Sequence, residues 1–123
     1  MSGRVLLLED DADIGVVSSA TLVAAGYVVD VVRTVEDALD RCASEPPDLA
    51  LIDIKLGAGT SGWDFLRAIR ADGLCPHMRI AVFSVHAGEA DHVENARRFA
   101  VDALLAKSGD PVDLVNEVGR LLV

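Results

Sequence analysis

An α/β fold built on a single doubly wound parallel sheet is the architecture this sequence predicts, and three observations predict it. Residues 5–8, 49–52 and 103–106 are short, almost purely apolar runs, as expected of strands buried on both faces. Longer stretches of helical period lie between such runs, so strands and helices alternate and the connections are right-handed crossovers. The 123 residues, 51% of them apolar, match one domain with its own core.

Each element follows from local chemistry. Residues 5–8 (Val-Leu-Leu-Leu) are the first strand. Residues 13–25 read as a helix with Ile14, Val17, Leu22 and Ala25 on one face, stopped by Gly26. The valine-rich stretch 27–32 is the second strand. Thr34 is the N-cap candidate of a second helix, which runs through Val35, Leu39 and Cys42 until Pro46-Pro47 ends it. Residues 49–52 are the third strand, and 57–62 a loop. Residues 63–71 form a helix with Phe65, Leu66 and Ile69 inward. Residues 79–83 are the fourth strand, and 90–100 a helix with a thin stripe of Val93, Ala96 and Phe99. Residues 103–106 are the fifth strand. Residues 112–122 close as a helix, with Asp110 and Pro111 in cap and first-turn positions.

The formal net charge of −9 argues against binding nucleic acid or an anionic membrane, and suits a divalent cation or a basic partner surface. Cys42 and Cys75 have no metal-ligand spacing and read as free thiols in a reducing, cytoplasmic setting. No signal peptide is visible, and no apolar stretch is long enough to cross a bilayer. With no linker or output segment legible, residues 1–123 are read as one domain.

Five polar groups mark the ends of the apolar runs. Glu9 and Asp10 follow the first strand, Asp53 the third, Ser84 the fourth and Lys107 the fifth. An ionised carboxylate at the margin of a core is costly unless a cation or hydrogen bonds meet it. In an open parallel sheet these ends share one edge, where ligands bind. Groups far apart in sequence therefore converge. Clustered carboxylates raise one another's pKa, and Mg²⁺, which prefers hard oxygen ligands, relieves the repulsion. One carboxylate can then attack phosphorus to give an aspartyl phosphate, with the metal and an ammonium balancing charge. Asp53 is the best nucleophile, lying between the acidic pair and the other two groups. Asp11 and Asp13 read as solvated first-turn acids, and His77 and His92 as surface residues. Gly57-Ala58-Gly59-Thr60-Ser61-Gly62 matches G-x-G-x-x-G, but it follows the third strand and no ribose-binding acid ends the next one. It reads as a flexible loop rather than a nucleotide site.

Leu6-Leu7-Leu8-Glu9-Asp10-Asp11, Leu51-Ile52-Asp53-Ile54, Val82-Phe83-Ser84 and Leu105-Ala106-Lys107 together resemble, in order and across the whole chain, the motifs of receiver domains of two-component response regulators. The resemblance implies a flavodoxin-like fold, five parallel strands in the order 2-1-3-4-5 with five helices. It implies Asp53 as phosphoacceptor and Asp10 as a direct Mg²⁺ ligand. Glu9 would act through water, and the backbone carbonyl of Lys55 would be a further ligand. It implies Ser84 as the switch hydroxyl and Lys107 as the ion-pair partner of the phosphoryl group. His86 and Lys55 would flank that group. The donor would be a phosphohistidine on a sensor histidine kinase or a histidine phosphotransfer protein, and the output a downstream protein or a separate output domain, with no nucleic acid or membrane bound by this chain.

The sequence also departs from that pattern. Ser108 follows Lys107 where the family has proline, so a trans bond is expected there. Leu104 replaces the aromatic switch residue, Val85 the small residue after the hydroxyl, and Gly57 a common proline. These departures leave a second reading, a receiver-like binding module that works without phosphorylation. A third, a metal-dependent phosphatase using Asp11-Ala12-Asp13, would need the catalytic acid to leave the strand end.

Overall fold

The computed structural model describes residues 3–57, 59–85 and 87–123. Five strands, β1 (Arg4–Leu8), β2 (Val28–Val32), β3 (Leu49–Ile52), β4 (Arg79–Ser84) and β5 (Ala103–Ala106), alternate with five helices. These are α1 (Ala12–Ala24), α2 (Val35–Ser44), α3 (Gly62–Asp72), α4 (Ala90–Arg98) and α5 (Pro111–Leu121). All strand pairs are parallel, and the sheet order is β2-β1-β3-β4-β5. The chain therefore has the expected flavodoxin-like topology.

Alternate residues of the central strands feed two cores. Leu6, Leu8, Ala50, Ile52, Ile80 and Val82 pack under α2, α3 and α4, with Phe65, Leu66 and Ile69 from α3. Val5, Leu7, Leu49, Leu51, Ala81 and Phe83 pack under α1 and α5. Burial on both faces is why these strands are apolar at every position rather than at every second one.

Capping chemistry sets the helix starts. Thr34 Oγ1 accepts the Asp37 N–H at 3.1 Å, and Asp110 accepts from Val112 N–H at 2.9 Å. Ser61 and Asp64 form a reciprocal capping box that starts α3 at Gly62, inside the stretch expected to be loop. Thr34→Ala is expected to lower stability by about 1 kcal/mol, read as a drop in urea midpoint at unchanged slope.

Two expectations need correction. The buried face of α1 is Gly15, Ser18 and Leu22, while Val17 is 64% exposed. This helix is apolar nearly all round, so hydrophobicity carries no phase. Its phase follows instead from close approach to β2, where a Cβ on Gly15 would lie 3.3 Å from Val31 Cγ1. Helix α4 stops at Arg98, two residues short of expectation, because Ala100 turns left-handed (φ 56°). Every described peptide bond is trans, the Lys107–Ser108 bond included. Among the described residues, no helix is long and apolar enough to cross a membrane.

Candidate functional site

The sheet register builds the site. Leu8 pairs with Ile52, so the next residues, Glu9 and Asp53, leave neighbouring strands side by side. The Asp53 N–H donates to the Leu8 carbonyl and the Glu9 N–H to the Val32 carbonyl, each at 2.9 Å. Ser84 pairs with Ala106, which delivers Lys107 beside the end of β4; its N–H donates to the Ser84 carbonyl at 3.2 Å. All five predicted strand-end residues line one cavity of about 280 Å³, joined by Asp11, Ile14, Lys55, Val85 and His92.

Inside it, Lys107 reaches back to the acids. Its Nζ lies 2.6 Å from Glu9 Oε1 and 3.3 Å from Asp53 Oδ2. Glu9 is only 1% exposed and the Lys107 side chain 11%. Glu9 Oε2 also accepts the Asp11 N–H at 3.2 Å. Burial is the main influence on Glu9 and raises its pKa above 4.5; Lys107 opposes the rise and Asp53 adds to it. The ammonium also sits 5.4 Å from the Phe83 ring centroid, a cation–π contact. A raised carboxyl pKa means that the folded state holds the proton more tightly than the unfolded chain. Glu9 therefore contributes most at acid pH, and that contribution is lost as pH rises from near 4.5 through the raised value. In metal-free buffer, wild type should lose stability relative to Glu9→Gln over that rise; parallel denaturation series would check it.

Asp10 is half-buried at the cavity mouth. Arg33 Nη2 donates to its carbonyl at 3.1 Å. Its carboxylate faces Gly57, where a Cβ would approach Oδ2 to 3.3 Å, so glycine keeps that space open. The Lys55–Ser61 bridge is closed by the Gly62 N–H donating to the Ile54 carbonyl at 2.9 Å, and so does not draw on the Lys55 carbonyl. Among the described residues, no three His, Cys, Asp or Glu side chains converge as a ready cage for a metal. The donors nevertheless fit an ion that takes one or two carboxylates and keeps water, as Mg²⁺ does. Four carboxylates line the cavity against two lysines.

Asp11 caps α1 through Ile14 N–H (3.0 Å) and is exposed at the cavity edge, and Asp13 is exposed in the first turn. His77 is exposed as expected. His92 is not a free surface residue: it is half-buried, lines the cavity and packs on Trp63 with ring centroids 6.0 Å apart. His86 lies outside the described residues. Leu104 packs against the core under α2–α4.

Sequence reasoning missed Gly62. Read as loop flexibility, it is the buried first residue of α3, and a Cβ there would lie 2.2 Å from the Asp53 carbonyl oxygen and 2.6 Å from Ile52 Cγ2. Only glycine lets α3 begin against the backbone of Asp53. The spacing Ser61-x-x-Asp64 was the available signal, since a capping box puts the residue after Ser61 in the first helical turn.

The model of the response regulator receiver domain matches residues 5–119. The acid tolerance regulatory protein ActR of Sinorhizobium medicae is 30% identical over 89% of this chain and 55% of its own length. The two-component response regulator PhoP of Pseudomonas aeruginosa is 31% identical over 98% of this chain and 59% of its own. The chain thus spans little more than half the length of these relatives. The chemotaxis protein CheY4 of Vibrio cholerae, 21% identical, superposes with a TM-score of 0.90 over 99% of this chain and 100% of its own. Strand order, strand-end acids and lysine, and a match running nearly end to end agree: this chain belongs to the response regulator receiver domain family.

Proposed function

We propose that this domain accepts a phosphoryl group on Asp53 from a phosphohistidine donor and changes conformation in response. The observation that carries the reading is the Lys107 ammonium bridging Glu9 and Asp53 at adjoining strand ends. A carboxylate oxygen of Asp53 attacks phosphorus, the bond from phosphorus to the donor imidazole nitrogen breaks, and the imidazole leaves with its electron pair. Lys107 is placed to exchange its contact with Asp53 for one with a phosphoryl oxygen. The Ser84 hydroxyl, at the end of β4, donates to another.

Receiver domains generally bind Mg²⁺ at the phosphorylation site. Here Asp10, Asp53 and the Lys55 carbonyl would hold it, with Glu9 acting through water, and it supplies charge neutralisation at the phosphoryl oxygens. Glu9 has the further task of fixing Lys107. The domain acts as a phosphoacceptor that assists its own phosphorylation and dephosphorylation, not as a turnover enzyme. Its donor is a sensor histidine kinase or histidine phosphotransfer protein in the cytoplasm, and its output a downstream protein or an attached domain.

Incubation with Mg²⁺ and acetyl phosphate should add about 80 Da to the intact mass, one phosphoryl group. The adduct should vanish in Asp53→Asn and on chelation of Mg²⁺. A wild type that never gains the adduct, or an adduct that persists in Asp53→Asn, contradicts the proposal; the first outcome would favour a binding module that needs no phosphorylation.

A further inference from the structure

Away from the acidic site, two free thiols come together. Cys42 is buried on α2, and Cys75 is half-buried in the loop between α3 and β4. They are 33 residues apart in sequence but meet in space: the Cys75 thiol donates to the Cys42 carbonyl at 3.5 Å. That contact brings the Cys75 side chain against the turn of α2 that carries the Cys42 thiol. Cys75 has φ 48°, a left-handed conformation that non-glycine residues seldom adopt, and in it the thiol faces α2.

We propose that Cys42 and Cys75 are a redox-modification site, forming a reversible intramolecular disulfide on exposure to a peroxide. Cys75, the more accessible thiol, reacts first. Its sulfur attacks one peroxide oxygen and the O–O bond breaks, leaving a sulfenic acid on Cys75 and releasing water. The Cys42 sulfur then attacks the Cys75 sulfur. The S–S bond forms, the S–O bond breaks, and the hydroxyl departs with the Cys42 proton as a second water. Two thiols are oxidised and one hydrogen peroxide is reduced to two waters.

Burial, reinforced by the adjacent Cys75 thiol, pushes the Cys42 pKa up to about 12. Cys42 therefore does not meet oxidant as a thiolate, and its part in the reaction depends on proximity. The closed ring would contain β3, Asp53 and α3, the segment that carries the acceptor. A cross-link across it restricts the unfolded chain and so raises the thermal midpoint.

Hydrogen peroxide treatment of the full chain, followed by alkylation, tests this. The expected product is monomeric and lighter by about 2 Da, the two thiol hydrogens. Trypsin should release residues 42–55 joined to residues 71–79. The thermal midpoint should rise by roughly 10 °C, and dithiothreitol should reverse every change. Cys75→Ser, a substitution at a half-exposed position, should show none of them. Oxidation of Cys75 to the sulfinic acid with Cys42 still alkylatable after unfolding would overturn the proposal. So would a peroxide product linked only between chains, or one with both thiols intact.

Discussion

Lys107→Met is expected to destabilise the domain by about 3–5 kcal/mol at neutral pH without metal, the range for removing one partner of a buried ion pair. The cause is the state in which it leaves Glu9. That carboxylate is 1% exposed, and its closest cation, 2.6 Å away, would be gone. Burial already raises its pKa, and losing the opposing Lys107 raises it further, so in the variant Glu9 takes up a proton in order to stay buried. The deficit should therefore shrink on acidification. Lys107→Met combined with Glu9→Gln should recover most of the loss, because a neutral amide needs no cation. Urea denaturation of the four proteins of this cycle would decide it. A double variant no more stable than Lys107→Met would mean that the lysine stabilises through packing, including its contact with Phe83.

Gly62→Ala is expected to lower stability by about 3 kcal/mol, the upper part of the range for overpacking. The sign is informative, because alanine in place of glycine within a helix normally stabilises by about 1 kcal/mol. Here the added methyl meets the Asp53 carbonyl and Ile52 Cγ2 inside contact distance, so α3 or the end of β3 must shift. Phosphoryl uptake at Asp53 should slow together with the loss of stability. Gly119→Ala in α5 is the internal control. Its methyl would meet only Tyr27 Oη, at an ordinary 3.7 Å, so this variant should gain about 0.5–1 kcal/mol. Equal effects at the two glycines would show that helix propensity, not the approach to Asp53, governs position 62.

Much of this was legible in the sequence. The parallel sheet followed from apolar runs alternating with helical stretches. Once the sheet was inferred, strand ends alone brought Glu9, Asp10, Asp53, Ser84 and Lys107 to one edge. The phase of α1 was not legible, because Val16, Val17 and Val23 on its exposed side are as apolar as its buried positions. Nor was the grip of Lys107 on Glu9, which depends on how deeply each side chain sinks. The family pattern pointed the lysine at the phosphoryl group, yet its nearest partner here is the acid of the first strand. The aromatic ring against Lys107 likewise comes from Phe83 of β4, while Leu104 of β5 serves the core. The meeting of Cys42 and Cys75 has no sequence signal, since it arises from how α2 packs beside the loop after α3.

In the proposed mechanism the phosphoryl group resides on Asp53 and nowhere else. Borohydride reduction of the phosphorylated protein tests this most directly, because an acyl phosphate is reduced to the alcohol and an aspartyl phosphate thereby becomes homoserine. After trypsin digestion, fragment masses of the peptide spanning residues 42–55 should place homoserine at position 53, with Asp48 in the same peptide unchanged. Homoserine at Asp10, Asp11 or Asp48, or none in a protein that carries the adduct, would rule out Asp53 as the acceptor.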